Sequence, residues 1–240
     1  MVLQLALRDY SENLKMNLLF GFLLIFSFFA LFENIFVSSG TIFIEYSVFS
    51  GDFSVLFIEL IAVLVFLVFY SLFVSFLIFN VRNKLNKVRM HYYLSEKLHK
   101  FSFALALFFI LYFLFFYLVY SLLLFIEAPL LLVVFILFLI SVLLLFVPQS
   151  IVIDEGRIFH SIENSAEFLL KNPLTVLKVI VMSTVFLFVV SLIEFVFDFV
   201  FLIGNYVSLL LVLFFVVPFI EIVKTRLYMK KFGLVLFDKD

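Results

Sequence analysis

The sequence predicts an all-α fold, a polytopic transmembrane helical bundle of six spans with both termini cytoplasmic, formed as one domain over residues 1–240. Three observations predict it. Hydrophobic residues make up 67% of the chain and charged residues 14%, with a mean hydropathy of +1.33; a soluble domain carries roughly 45–50% and about 25%. Six apolar stretches approach or exceed the ~20 residues a helix needs to cross ~30 Å of hydrocarbon. All 16 Lys and Arg residues fall at alternate ends of those stretches. This composition argues against a soluble enzyme, a disordered chain or a nucleic-acid-binding domain. With no cysteine there is no disulfide, thiolate metal site or Cys nucleophile.

The spans are expected over 17–37, 53–79, 101–126, 129–147, 173–201 and 206–223. The first is too long for a signal-peptide core and is read as retained. Glu127-Ala128 makes a tight turn that Pro129 closes by opening the fourth span. Pro148 and Pro218 fall near the ends of the fourth and sixth spans, where a kink costs least. Ser71 and Ser75 offer the one small-x-x-x-small crossing, and Gly21 is the only glycine well inside the first five spans.

Orientation follows from the basic residues. The N-terminal segment, the connection after the second span, the connection after the fourth and the tail hold every Lys and Arg except Lys178, which lies just inside the fifth span next to that connection, while 38–52, 127–128 and 202–205 hold none. Retention of Lys and Arg in the cytoplasm puts both termini there, in a plasma membrane. Residues 80–100 continue the second helix, with Val81, Leu85, Val88 and Tyr92 at helical spacing. The remaining face carries Arg82, Lys84, Lys87, Arg89, Lys97 and Lys100, candidate contacts for anionic lipid headgroups. Ordinary positive-inside topology explains the same residues.

Residues 158–170 form a second amphipathic stretch. Ile158, Ile162, Ala166, Leu169 and Leu170 are expected to face the acyl chains or the bundle. Asn172 suits an N-cap, and Pro173 the first helical position of the fifth span. Phe146-Val147-Pro148-Gln149-Ser150-Ile151-Val152 resembles Val216-Val217-Pro218-Phe219-Ile220-Glu221-Ile222 seventy positions on, a weak internal echo.

Acidic residues gather on the opposite side: Glu33, Glu45, Asp52, Glu59, Glu127, Glu194 and Asp198, with no Lys or Arg among them. Glu33, Glu59, Glu194 and Asp198 are a candidate cluster for a hard cation such as Ca²⁺ or Mg²⁺, or for shared protons. The alternative is that each reaches the interface independently and stays hydrated. Lys178 and Glu221 are expected to pair across neighbouring spans or to snorkel. His91, His99 and His160 lie in no ligand spacing, and no catalytic motif is present.

The order of segments resembles a family of uncharacterised prokaryotic six-span proteins, archaeal ones among them. These are related in pattern to the membrane domain attached to some glycerophosphoryl diester phosphodiesterases. The likeness rests on Ala6-Leu7-Arg8-Asp9-Tyr10-Ser11-Glu12-Asn13, on 146–154 running into Ser161-Ile162-Glu163-Asn164-Ser165 and Lys171-Asn172-Pro173, and on Pro218 followed by Thr225-Arg226-Leu227-Tyr228. It implies a fold and a membrane address, with no activity and no catalytic domain. The function expected is therefore a non-enzymatic membrane component, without cofactor, that binds lipid, a membrane-protein partner or a second copy. The other readings are a transporter or channel for a small cation using the acidic cluster and, last, a lipid-modifying enzyme. Reconstituted cation flux separates the first two.

Overall fold

The computed structural model describes residues 2–28, 35–38, 41–44, 53–86, 97–201 and 204–230, and these form a helical bundle with one short ribbon. Helices α1 (Val2–Glu12), α2 (Leu14–Phe28) and α3 (Phe53–Asn86) come first. The ribbon, β1 (Ile35–Ser38) and β2 (Thr41–Ile44), lies between α2 and α3. Then follow α4 (Leu98–Phe125), α5 (Leu130–Leu143), α6 (Val147–Ile153), α7 (Ile158–Lys171), α8 (Pro173–Phe201) and α9 (Gly204–Leu211). A π-helical turn (Val212–Val216) joins α9 to α10 (Val217–Met229).

Among the described residues five segments are long and apolar enough to cross a membrane: Ile61–Asn83, Leu98–Phe125, Leu130–Ile153, Pro173–Val200 and Tyr206–Met229. The stretch expected as one helix over 17–37 is corrected. Its helix runs from Leu14 to Phe28, 15 residues, and Ile35–Ser38 pairs antiparallel with Thr41–Ile44, Ser38 opposite Thr41. The cause is local. β-Branched and aromatic residues flank Ser39-Gly40 on both sides, a two-residue hairpin pattern. That ribbon also departs from a purely α fold.

Helix α3 and the segment Tyr206–Met229, which holds α9, the π turn and α10, form the centre, each burying more than half of its most apolar stretch, whereas α4, α8 and the segment Leu130–Ile153 bury a third or less. Ser71 and Ser75 are buried as their spacing suggests, and the Ser102 hydroxyl donates to Ser75 Oγ at 3.2 Å where α4 crosses α3. Gly21 lies against the Phe214 ring, so α2 packs closely on the π turn.

The two inner prolines break their helices differently. Proline lacks an N–H, so in a helix the carbonyl four residues earlier loses its partner. For Pro148 that carbonyl is Leu144, which accepts instead from the Val147 N–H at 3.2 Å as α5 ends and α6 begins. For Pro218 it is Phe214. There the chain widens into the π turn, the Val217 N–H reaches back to Val212, and the Phe214 carbonyl accepts from the Tyr10 hydroxyl at 2.9 Å. The N-terminal helix thus fills the gap that a proline near the other terminus creates.

Candidate functional site: a buried polar layer at the basic end

Helix α10 is buried along nearly its whole length although it carries Glu221, Lys224, Thr225 and Arg226. In an apolar bundle such charges are tolerable only when paired and hydrogen-bonded. Arg226 Nε donates to Asp9 Oδ2 at 2.5 Å, tying α10 to α1. Lys224 Nζ lies 2.8 Å from Glu221 Oε1, and Gln149 Nε2 on α6 donates to Glu221 Oε2 at 2.8 Å. Tyr228 donates to Asp154 Oδ2 at 2.5 Å, and the same oxygen accepts from Ser150 at 3.0 Å and Asn164 at 3.3 Å. Alongside, Asn80 Nδ2 on α3 donates to Asn13 Oδ1 between α1 and α2. Asn13, Asn17 and Asn80 share with Phe73, Phe76 and Leu77 a small cavity of about 10 Å³, room for one water, into which no protein acceptor reaches the buried Asn17 Nδ2.

Above this layer lies an ion-pair cluster. Arg82, near the end of α3, donates from Nη1 to the Val152 carbonyl at 2.8 Å and from Nη2 to Glu155 Oε1 at 3.1 Å. Lys97, just before α4, donates to both Glu155 oxygens at 2.9 and 2.7 Å. Partial burial on its own raises the Glu155 pKa, but the hydrogen bonds and charges of Lys97 and Arg82 outweigh it and hold the carboxyl below its usual value. Glu155 sits at φ 54°, the left-handed region that disfavours a side chain.

Two helices at this end expose large apolar residues beside their charged ones. On α1, Ala6 and Asp9 are buried while Leu3 and Leu7 are exposed. On α7, Ser161, Ser165 and Phe168 are buried, whereas Phe159 is 79% and Leu170 77% exposed. Ser165 Oγ donates to the Leu143 carbonyl at 2.8 Å and accepts from the Phe146 N–H at 3.2 Å, repairing the break between α5 and α6. Of the residues expected to face the acyl chains or the bundle, Ile158, Ile162, Ala166 and Leu169 are half-buried and Leu170 is exposed. Leu170 and Phe159 are eleven residues apart, about three turns, and so share a face, with Glu163 also on it. Leu174, Leu177 and Val181 carry that exposed apolar stripe on along α8.

Comparison with protein-family models, with curated proteins and with solved structures finds no match. The chain's own geometry therefore carries the functional argument.

Of the six basic residues, the structure brings Arg82 and Lys97 together on Glu155. Lys100 is exposed on α4; only the backbone of Lys84 is described, and Lys87 and Arg89 lie outside the described residues. Of the acidic four, Glu33 lies outside the described residues and Glu59 is described only as backbone of α3. Glu194 and Asp198 do share one face of α8, and Asp198 Oδ1 accepts the Gly204 N–H at 2.6 Å, closing the turn into α9. Among the described residues no group of three or more His, Cys, Asp or Glu is placed to hold a metal ion. Glu221 pairs with Lys224 rather than Lys178, which is exposed. His160 is exposed and lies 3.5 Å from Glu163. Asn172 hydrogen-bonds back to the Phe168 carbonyl at 3.4 Å, so its side chain ends α7 while Pro173 opens α8.

Sequence reasoning missed Asp9, Asn13, Gln149, Asp154, Glu155, Arg226 and Tyr228. A signal existed for part of this set: Asp9, Asn13 and Asn17 recur every four residues, one polar stripe beside the leucines of the first two helices. The internal echo has a physical counterpart too, because Gln149 and Glu221 of the paired segments touch.

Proposed function

We propose that this chain is a non-enzymatic, multi-pass membrane component that engages lipid at its basic end, without cofactor. The large apolar residues exposed on α1 and α7 carry the reading. Leucine and phenylalanine displayed beside charged residues are stable at a membrane interface, where the outer surroundings are apolar on one side and wet on the other. The exposed stripe of α7 continues into that of α8, so one lipid phase covers both.

The same reading has six crossings in a plasma membrane with both termini cytoplasmic. The Asp9–Arg226 pair supports an even number, since it sets the first helix beside the last one's end. The positive-inside rule places that end in the cytoplasm. Kinship with the six-span prokaryotic family fits the same architecture. A membrane-protein partner or second copy would meet the remaining apolar faces. The cation-path alternative draws no support from Asp198, whose carboxylate is engaged by the Gly204 N–H.

The chain has no cysteine, which makes single-site labelling clean. Phe159→Cys, Leu170→Cys and Lys171→Cys, each carrying an environment-sensitive dye, are compared in nanodiscs containing spin-labelled lipid; position 171 lies about 120° round the helix from Phe159. Dyes at 159 and 170 are expected to be blue-shifted and quenched by the lipid, and the dye at 171 to report water. Aqueous spectra at all three positions would remove α7 from the membrane and the proposal with it.

A further inference from the structure

We propose that Arg82 and Lys97 form a phosphate-binding site, suited to the phosphodiester of an anionic lipid headgroup or to free phosphate, and that Glu155 is its internal occupant. The proposal rests on the lipid-engaging reading above and names its headgroup chemistry. Three separate elements converge on one carboxylate. Arg82 comes from the end of α3, Lys97 from the start of α4, and Glu155 from the connection between α6 and α7. Lys97 reaches both carboxylate oxygens and Arg82 one of them, as cations grip two non-bridging oxygens of a phosphate.

The cations are preorganised independently of their occupant. Arg82 Nη1 is anchored on the Val152 carbonyl at 2.8 Å, which aims its other nitrogen outward whether or not Glu155 is present. Glu155 is the less settled party. Its backbone is in the left-handed region at φ 54°, and Gly156 follows it. The cluster is partly open, with side-chain exposures of 15% for Arg82, 34% for Lys97 and 31% for Glu155. Lys100 follows exposed on α4 and adds positive charge nearby. A phosphodiester arriving from the membrane surface would replace one anion by another, and Glu155 would swing into water on its loop. The buried pairs of α10 lack this access, because both partners there are fully covered.

The test uses the full chain in nanodiscs of phosphatidylcholine with or without phosphatidylglycerol, with native mass spectrometry counting retained lipid. Glu155→Gln frees the cations and is expected to raise phosphatidylglycerol retention about fivefold, the weight of one basic charge at an anionic surface. Adding Arg82→Gln and Lys97→Gln to that variant is expected to erase the gain. Glu155→Gly, which also relaxes the backbone, is the second variant and is expected to show the same gain. In phosphatidylcholine alone, stabilisation of Glu155→Gln by millimolar inorganic phosphate would assign the site to free phosphate, whereas a response to phosphatidylglycerol only assigns it to the headgroup. If the native chain prefers phosphatidylglycerol but both Glu155 variants, folded by cooperative melting, bind neither lipid nor phosphate better, this site is overturned and the lipid reading stands. If the native chain and both variants show no preference for phosphatidylglycerol and no response to phosphate, both fall.

Discussion

The two ends of the bundle are built on opposite principles. At the basic end, charges from different helices meet across the core: Asp9 with Arg226, Gln149 with Glu221, Asp154 with Tyr228, Glu155 with Arg82 and Lys97. At the acidic end, among the described residues, two short connections close through local bonds. Asp198 holds the Gly204 N–H, and the turn after α4 closes on itself as the Ala128 N–H reaches Leu123 and the Glu127 N–H reaches Leu124. Large apolar side chains there face outward, Phe125 at 84%, Leu131 at 83% and Phe199 at 86% exposure. Between helices in lipid there is little hydrophobic drive, so long-range polar contacts decide where helices are held. Among the described residues, the basic end is fastened across helices, and the acidic end is closed by short turns.

The contrast is broken most severely by removing one member of a buried pair. Asp9→Ala leaves the Arg226 guanidinium uncompensated and is expected to cost about 3–5 kcal/mol, against about 1 kcal/mol for losing the turn-closing carboxylate in Asp198→Ala. Thermal unfolding of both variants in the same nanodisc measures the ratio; equal costs would abolish the distinction. Gly204→Ala probes the tightest spot at the acidic end. A methyl there meets the Glu194 carbonyl and the Asp198 carboxyl, and backbone cannot yield cheaply. A loss of about 1–3 kcal/mol is expected, larger than for Gly21→Ala, whose methyl meets the edge of the Phe214 ring.

Tyr10→Phe strips the donor from the Phe214 carbonyl that Pro218 leaves open. About 1 kcal/mol should be lost, with faster amide exchange in α1 as its signature. Glu127 and Glu155 allow a matched comparison, since both sit at φ 54°. Glu127→Gly relieves a left-handed residue with no ion pair among the described residues and is expected to stabilise by about 1 kcal/mol. Glu155→Gly relieves the same backbone but forfeits Arg82 and Lys97, so its melting temperature should rise less or fall.

The smallest effect is that of pH. Because the Glu155 carboxyl is held below its ordinary value of 4.5, its bridges contribute fully above that pH and are lost as pH falls through the lower folded value. The stability gap between the native chain and Glu155→Gln should therefore close on acidification below 4.5. A gap that widened would mean the carboxylate is not held by its cations.

Hydropathy located most of the helices because it averages over a window as long as a span, and single polar residues hardly disturb it. The boundary at Asn172-Pro173 was legible from local chemistry alone. The ribbon was not, since Ile35, Phe36 and Val37 extend an apolar run whose strand character depends on pairing with Thr41–Ile44. The polar layer was hidden for a different reason. Its members lie on different helices, and partners such as Asp9 and Arg226 are far apart in sequence. Depth alone grouped the acidic residues, and depth says nothing of which neighbour a carboxylate will meet, as Asp198 shows.

The Tyr10 bond to the Phe214 carbonyl also bears on the timing of synthesis. Tyr10 is synthesised long before its acceptor, which lies 204 positions later. Until α10 is threaded into the bilayer, α1 has neither this partner nor Arg226, which is 217 positions from Asp9. Helices α2 to α8 therefore insert before these two bonds can form, and the arrival of the π turn and α10 supplies both in one step.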